Sequence, residues 1–166
     1  SYSGPDQVNI VVPPDVQPGT ADVEITHPGG TFKTTVTVAP VSPGLFDAAT
    51  FAGERVWVGA PGSLPGVTAR PARRGDNLEL YANGLGRTAE AHPAGQVLTR
   101  PYPIADASAI RVFLNDVEVT PQAVNMTYAG LWQINIQVPQ NAPSGDVAVT
   151  VRAAGETSPP VRFRFE

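Results

Sequence analysis

The sequence contains no cysteine and little charge, since only 16% of its 166 residues are Asp, Glu, Lys or Arg. Without cysteine, neither a disulfide framework nor a thiolate metal site can form, and the absence is neutral about cellular compartment. The formal net charge of −4 gives no basic surface of the kind that attracts nucleic acid. Nucleic acid is therefore not expected as a partner.

Long hydrophobic runs are missing as well. No run approaches the roughly 20 apolar residues that a membrane-spanning helix needs, so membrane insertion is not expected. No basic segment followed by an apolar one marks a signal peptide. If the protein is exported, its signal has been removed or lies outside this chain.

Proline and glycine are frequent, with 18 and 16 residues, and they separate short segments in which apolar and polar residues alternate. Alternation of period two predicts half-buried strands, with Leu78 and Leu80 on one face and Glu79 on the other. The predicted strands cover residues 7–12, 21–26, 32–38, 55–59, 77–83, 109–115, 132–138, 146–152 and 161–165. The pattern predicts an all-β chain folded as an antiparallel β-sandwich.

Two proline-rich stretches, residues 60–76 and 87–108, show little alternation and are predicted to be loops. Loops of this length are uncommon unless they bind something or wrap the surface of the sandwich. We expect them to be irregular segments held across that surface by their prolines.

The chain also repeats itself. The phrase VNIVVP at residues 8–13 returns as INIQVP at residues 134–139, and the match continues through Gly19 with Gly145 and Val23 with Val149. Identity that extends over strand, turn and strand indicates one supersecondary unit used twice.

Three phrases carry a resemblance to a known family. They are NLELYANGLGRT at 77–88, IRVFLNDVEV at 110–119 and YAGLWQINIQVPQNAPSGDVAVTVRAAGETS at 128–158. Together they resemble the Solibacter-type C-terminal domain of large bacterial proteins, which is related to the immunoglobulin-like TIG domains. The resemblance implies an immunoglobulin-like fold and an extracellular or cell-surface location in bacteria. It implies neither enzymatic activity nor a cofactor.

The two copies of the repeat are unequal. Residues 45–166 contain every part of the family pattern and are expected to form a complete immunoglobulin-like sandwich. Residues 1–44 contain only the back half of such a unit, and the segment VAPVSPGLF (38–46) is similar to the connector that joins two such units in that family. An additional half-sandwich is therefore expected at the N-terminus. That half supplies about three strands of a fold that normally has about seven.

A half-unit of this kind exposes apolar faces and unpaired strand edges. The candidate self-association residues are Ile10, Val12, Val23, Ile25, Val36 and Val38. Three explanations remain open: truncation of a longer protein within a domain, packing of the half-unit against the following unit, and completion by strands of another chain. The expected partners are copies of the chain itself or a neighbouring immunoglobulin-like domain, and head-to-tail repetition would give a ring or a filament.

The search for chemistry returns no catalytic motif. His27 and His92 each precede a proline in a predicted surface loop, and no HxH, HExxH or GxSxG motif is present. Glu79 and Glu118 lie on predicted solvent-facing strand positions, where solubility explains them better than glycoside hydrolysis. The carboxylates considered for calcium form no dense run and are Asp15, Asp22, Asp106, Asp116 and Glu118. We expect no enzyme, no metal site and no bound cofactor.

Aromatic residues support an alternative function. Exposed tryptophan and tyrosine side chains stack on sugars, and the candidates are Trp57, Tyr81, Tyr102, Tyr128 and Trp132. Use in the core or over a sheet edge is the competing interpretation. The sequence thus predicts a non-catalytic extracellular structural module that self-assembles by strand donation, such as a filament or surface-layer subunit. The alternative is a carbohydrate-binding or adhesion module of a larger secreted protein, with a glycan as partner.

Overall fold

A computed structural model describes residues 2–4, 6–13, 15–62, 65–93 and 96–166. The chain divides into two compact units, Ser1–Pro40 and Val41–Glu166, and each is described by itself. In the described residues regular structure consists of strands and one short 3₁₀ helix, Ala107–Ala109, so the chain is all-β as predicted.

The first unit contains two separate two-stranded antiparallel sheets. Strand β1 (Tyr2–Ser3) pairs with β2 (Val8–Asn9). Strand β3 (Gly19–His27) pairs with β4 (Gly30–Val38) over its whole length and forms a long hairpin. Both hairpin strands were predicted, over residues 21–26 and 32–38, and each is longer in the structure than its predicted range.

The predicted strand over residues 7–12 is wrong in extent, because only Val8–Asn9 is a strand. Its repeat partner, β13 (Leu131–Gln137), is paired on both sides, with β8 (Asn77–Asn83) and β12 (Ala123–Tyr128). The first unit has no counterpart of these neighbours in its described residues. A strand without a hydrogen-bonding neighbour is not stable in water, so residues 10–12 do not continue the strand.

The second unit contains two larger sheets. One has seven strands in the order β7-β6-β5-β8-β13-β12-β9, and the other has five strands, β11-β10-β14-β15 with β16 also paired to β14. The strands not yet given are β5 (Gly44–Phe51), β6 (Trp57–Val58), β7 (Ala69–Arg70), β9 (Tyr102–Pro103), β10 (Ile110–Leu114), β11 (Val117–Val119), β14 (Gly145–Ala153), β15 (Glu156–Thr157) and β16 (Val161–Phe165). The pairing of β6 with β7 is parallel, so the sheets are not purely antiparallel as predicted.

Both sheets contribute to one hydrophobic core. Strand β8 supplies Leu78 and Leu80, each 1% exposed, and β14 supplies Val147 and Val149, which are fully buried. The same cluster contains Trp132 of β13. Burial of one large apolar side chain contributes about 1.5–3 kcal/mol, so the apolar positions of the alternating strands stabilise this unit. The second unit is therefore built like a β-sandwich.

The two predicted loops take part in this unit. Residues 60–76 include β7, and the guanidinium of Arg70 lies 3.5 Å from the centre of the Phe51 ring while pairing with Asp76 at 2.8 Å. Residues 87–108 include β9 and bury Leu98, Tyr102 and Ile104 in the core. Both stretches are thus partly structural, in addition to crossing the surface.

Candidate functional site

The hairpin of the first unit has one apolar and one polar face. Register places Ala21 opposite Val36 and Ile25 opposite Phe32, and side chains alternate between faces along each strand. The apolar residues of this face are Ala21, Val23, Ile25, Phe32, Val36 and Val38, with Thr34 among them opposite Val23, and together they form what we call the apolar hairpin face. The opposite face carries threonine hydroxyls and charged groups, with the Nζ of Lys33 2.7 Å from the carboxylate of Glu24.

The apolar hairpin face is not covered within its unit. Among the described residues of the first unit none is buried, and Phe32 and Val36 are 57% and 43% exposed. Val23, Ile25 and Val38 are half-buried. The structure thus brings four of the six predicted self-association residues onto one face.

The other two predicted residues lie elsewhere. Ile10 and Val12 are 62% and 52% exposed, and both lie in the segment that forms no strand. Sequence reasoning also missed two members of the face, Ala21 and Phe32. The period-two pattern of β4 could have identified Phe32, because it lies four residues before Val36 and therefore on the same face of the strand.

The internal repeat shows how such a face is used in a complete unit. Val23 aligns with Val149, and Ile25 aligns with Val151. Both valines of the second unit are fully buried. Their strand, β14, is paired with β16 on one edge and with β10 on the other. In the first unit the described residues offer no equivalent of β10 beside β3.

A second candidate surface is the outer face of the seven-stranded sheet. Two rows of directly opposed residues cross it, and their side chains alternate with core positions along each strand. The first row runs Trp57, Thr50, Glu79, Asn135, and the second runs Tyr81, Gln133, Asn125. We call these seven residues the polar sheet face. All seven are half-buried.

Hydrogen bonds organise the polar sheet face. The Thr50 hydroxyl donates to Glu79 Oε2 at 3.2 Å, the Tyr81 hydroxyl donates to the same oxygen at 3.2 Å, and the two hydroxyls lie 3.1 Å apart. The Gln133 side-chain amide donates to Asn135 Oδ1 at 2.9 Å. Burial, together with the neighbouring Glu79 charge, raises the pKa of Tyr81.

The two sheets have different outer faces. That of the five-stranded sheet carries Arg111 opposite Arg152 and Asp146 opposite Arg164, with Phe113 beside them. The polar sheet face contains no lysine or arginine, and its only charged residue is Glu79. The sandwich therefore presents one charged outer face and one that is nearly neutral.

Trp57 lies at the end of the polar sheet face, where it also lines a cleft of about 300 Å³. Other residues of the cleft are Asp47, Asp146 and Arg162. The Arg162 guanidinium donates to the backbone oxygen of Asp146 at 3.4 Å. Strand β5 separates Trp57 from Tyr81, so these two aromatic residues share a face without being on neighbouring strands.

The remaining aromatic candidates are divided by burial. Trp132 and Tyr102 belong to the core, at 2% and 6% exposure, and are excluded as contact residues for a ligand. Tyr128 is 63% exposed at the end of β12, outside the two rows. The ring of His92 packs edge-on against Tyr102 at 5.8 Å, so this histidine is half-buried rather than fully solvent-exposed as expected.

The carboxylates considered from the sequence do not converge. Asp106 caps the 3₁₀ helix, where its Oδ1 accepts from Ser108 N at 3.0 Å. Glu118 on β11 accepts from Arg111 and lies on the other sheet from Glu79. Asp15, Asp22 and Asp116 are exposed at separate positions. In the part of the chain that the structure describes, no three His, Asp or Glu residues form a group that could hold a metal ion.

The hydrogen bond from Gly29 N to His27 Nδ1, 3.0 Å long, places the other histidine in the hairpin turn. No helix among the described residues is long and apolar enough to cross a membrane.

Comparison with known proteins found no family model that matches the chain. A search of curated proteins likewise found no match.

Proposed function

We propose that the chain is a non-catalytic structural module of the bacterial cell exterior, and that it self-associates through the β3–β4 hairpin. In this proposal residues 45–166 are a complete immunoglobulin-like sandwich of the TIG-like type, and residues 1–44 are the back half of a second unit with its connector. The cell-surface location and the bacterial source rest on the resemblance to the Solibacter-type C-terminal domain.

The observation that carries the proposal is the uncovered apolar hairpin face. Its repeat counterparts, Val149 and Val151, are fully buried in the second unit. Ile25 and Val23 on the hairpin have the same side-chain character but are only half-buried, and no described residue of their own unit is fully buried. Covering this face removes apolar surface from water, which favours association by about 25 cal/mol for each Å² buried.

Strand pairing gives the association its direction. Among the described residues β3 pairs only with β4, and it carries Asp22 and Glu24, whereas β4 carries Lys33 as its only charged residue. Two β3 edges side by side would bring acidic groups together, which is unfavourable. Pairing β3 of one copy with β4 of the next brings Lys33 near the acidic residues. Such a contact is heterologous and continues into a filament or closes into a ring.

Light scattering over a range of concentrations, with negative-stain microscopy of the same samples, tests the proposal. We expect the mass to rise above the 17.4 kDa of one chain as concentration increases. Ile25→Lys places a charge on the apolar hairpin face and should weaken association at least tenfold. Thr26→Lys places the same charge on the opposite face and is the matched control. A monomer at every concentration, or equal behaviour of the two variants, would contradict the proposal.

A further inference from the structure

The polar sheet face of the second unit combines two aromatic rings with amide, hydroxyl and carboxylate groups. We propose that it binds a neutral carbohydrate chain, with Trp57 and Tyr81 as stacking residues and the other side chains of the same face as hydrogen-bonding groups. This inference concerns the second unit alone and goes beyond the self-association proposed above.

The geometry of the face suits an extended ligand. Its residues come from five adjacent strands, β6, β5, β8, β13 and β12. At about 4.8 Å between strands, they span roughly 20 Å across the sheet. Directly opposed residues in two neighbouring rows make a continuous surface, so several sugar units of one chain can contact it at once.

The chemistry of the side chains matches that of a sugar. A sugar hydroxyl both donates and accepts hydrogen bonds, and the amides of Asn125, Gln133 and Asn135 do the same. The carboxylate of Glu79 accepts from hydroxyls more strongly than a neutral oxygen does. The flat C–H face of a sugar ring packs on an aromatic ring, and Trp57 and Tyr81 provide such rings.

Charge selects a neutral carbohydrate over an anionic ligand. The polar sheet face has no lysine or arginine, and Glu79 repels sulfate, phosphate and uronate groups. The other sheet carries four arginines, namely Arg111, Arg152, Arg162 and Arg164. A basic ligand would find one carboxylate, which already accepts hydrogen bonds from Thr50 and Tyr81.

The face is also ordered before any ligand arrives. The hydrogen bonds among Thr50, Glu79 and Tyr81, and between Gln133 and Asn135, fix the side chains on rigid strands. Fewer rotamers are then lost on binding, so weak individual contacts are sufficient for measurable affinity.

Affinity electrophoresis tests the inference on the whole chain. Native gels would contain hydroxyethyl cellulose, xylan, galactomannan or, as an anionic comparator, dextran sulfate. We expect at least one of the neutral polysaccharides to retard the protein and dextran sulfate to have no effect. Trp57→Ala and, independently, Gln133→Ala should each weaken the retardation at least tenfold. Phe113→Ala, on the outer face of the five-stranded sheet, is the matched control and should behave as the unmodified protein does.

Circular dichroism confirms that each variant is folded, and the Gln133 variant keeps the test valid if the tryptophan variant is not. Absence of retardation in all three neutral gels would overturn the inference, as would retardation by dextran sulfate alone or retardation that both variants retain. The Ile25→Lys variant separates the two proposals, because it should lose self-association and keep polysaccharide binding.

Discussion

Ile25 and Phe32 lie directly opposite each other in the β3–β4 hairpin, on a face where Phe32 remains exposed among the described residues. Phe32 is 57% exposed, whereas Val151, the repeat counterpart of Ile25, is fully buried. The same alternating pattern of apolar residues therefore occurs twice in one chain, partly exposed in the first unit and buried in the second. The difference between them is the source of the proposed self-association.

The ion pair between Arg70 and Asp76 gives a prediction about stability. Asn at position 76 removes the negative charge that pairs with Arg70, and it leaves one acceptor oxygen for Arg70 and for the Arg73 backbone N–H, which donates to the carboxylate at 2.7 Å. We expect Asp76→Asn to lower the free energy of unfolding by about 1–3 kcal/mol at neutral pH. Urea unfolding measures the loss. Asp146→Asn, which breaks the exposed pair with Arg164, is the control and should cost less than about 1 kcal/mol.

The same carboxylate predicts a pH dependence. Burial opposes ionisation of Asp76, but hydrogen bonds from Arg70 and Arg73, with their charges, outweigh it and hold its pKa below the ordinary value. A lowered folded pKa adds stability above the unfolded pKa of about 3.9, and that stability is lost as pH falls through the folded pKa. The gap between the unmodified protein and Asp76→Asn should narrow below about pH 4. A gap that stays constant down to full protonation would contradict this role.

Gly84 is predicted to be irreplaceable. Its φ is +67°, and a Cβ at this position would overlap the backbone oxygen of Ser42, whose N–H donates to Gly84 O at 2.8 Å. Gly84→Ala should cost about 3 kcal/mol, from positive φ and overpacking together. Gly53 has a φ of +75° with open space around it, so Gly53→Ala should cost only about 1–2 kcal/mol. Thermal unfolding compares them, and equal costs would show that the Ser42 contact is unimportant.

Tyr81 reports directly on the polar sheet face. Burial is the main cause of its raised pKa, and the charge and hydrogen bond of Glu79 raise it further, while the hydrogen bond with Thr50 lowers it. Glu79→Gln should therefore lower the pKa of Tyr81, and Thr50→Val should raise it. Ultraviolet absorbance titration, with Tyr81→Phe subtracted, isolates this residue. Shifts of the same sign in both variants would contradict the hydrogen-bond arrangement.

Local pattern was sufficient for the strands whose two faces differ most. The alternation of NLELYAN and VRFRF predicted β8 and β16 at the bounds that they have in the structure. The alternation did not predict the strands that are irregular. Strand β5 is interrupted by a register shift between Leu45 and Ala49, and β12 by one between Met126 and Tyr128. A bulge breaks the period of two, so the signal disappears although the strand continues.

The candidate surfaces needed non-local information. Sequence reasoning identified Trp57 and Tyr81 as an aromatic patch only on the condition that their strands were neighbours. Their common face follows instead from the strand order β6-β5-β8, in which β5 lies between them. At Ile10 and Val12 the sequence predicted a strand that the structure does not contain, because the local pattern there is that of a strand. Their repeat counterparts, Ile136 and Val138, are buried beside strands that the described part of the first unit lacks. Strand formation there depends on neighbours, which no local pattern contains.

The most direct test of self-association through the β3–β4 hairpin is amide hydrogen exchange, followed by mass spectrometry at low and high protein concentration. Peptides from residues 19–38 should become more protected as concentration rises, because added strands and an opposing copy shield their amides. Peptides from β14, already buried in its own sandwich, should not change, and Ile25→Lys should abolish the effect. Exchange in residues 19–38 that is independent of concentration would contradict the account.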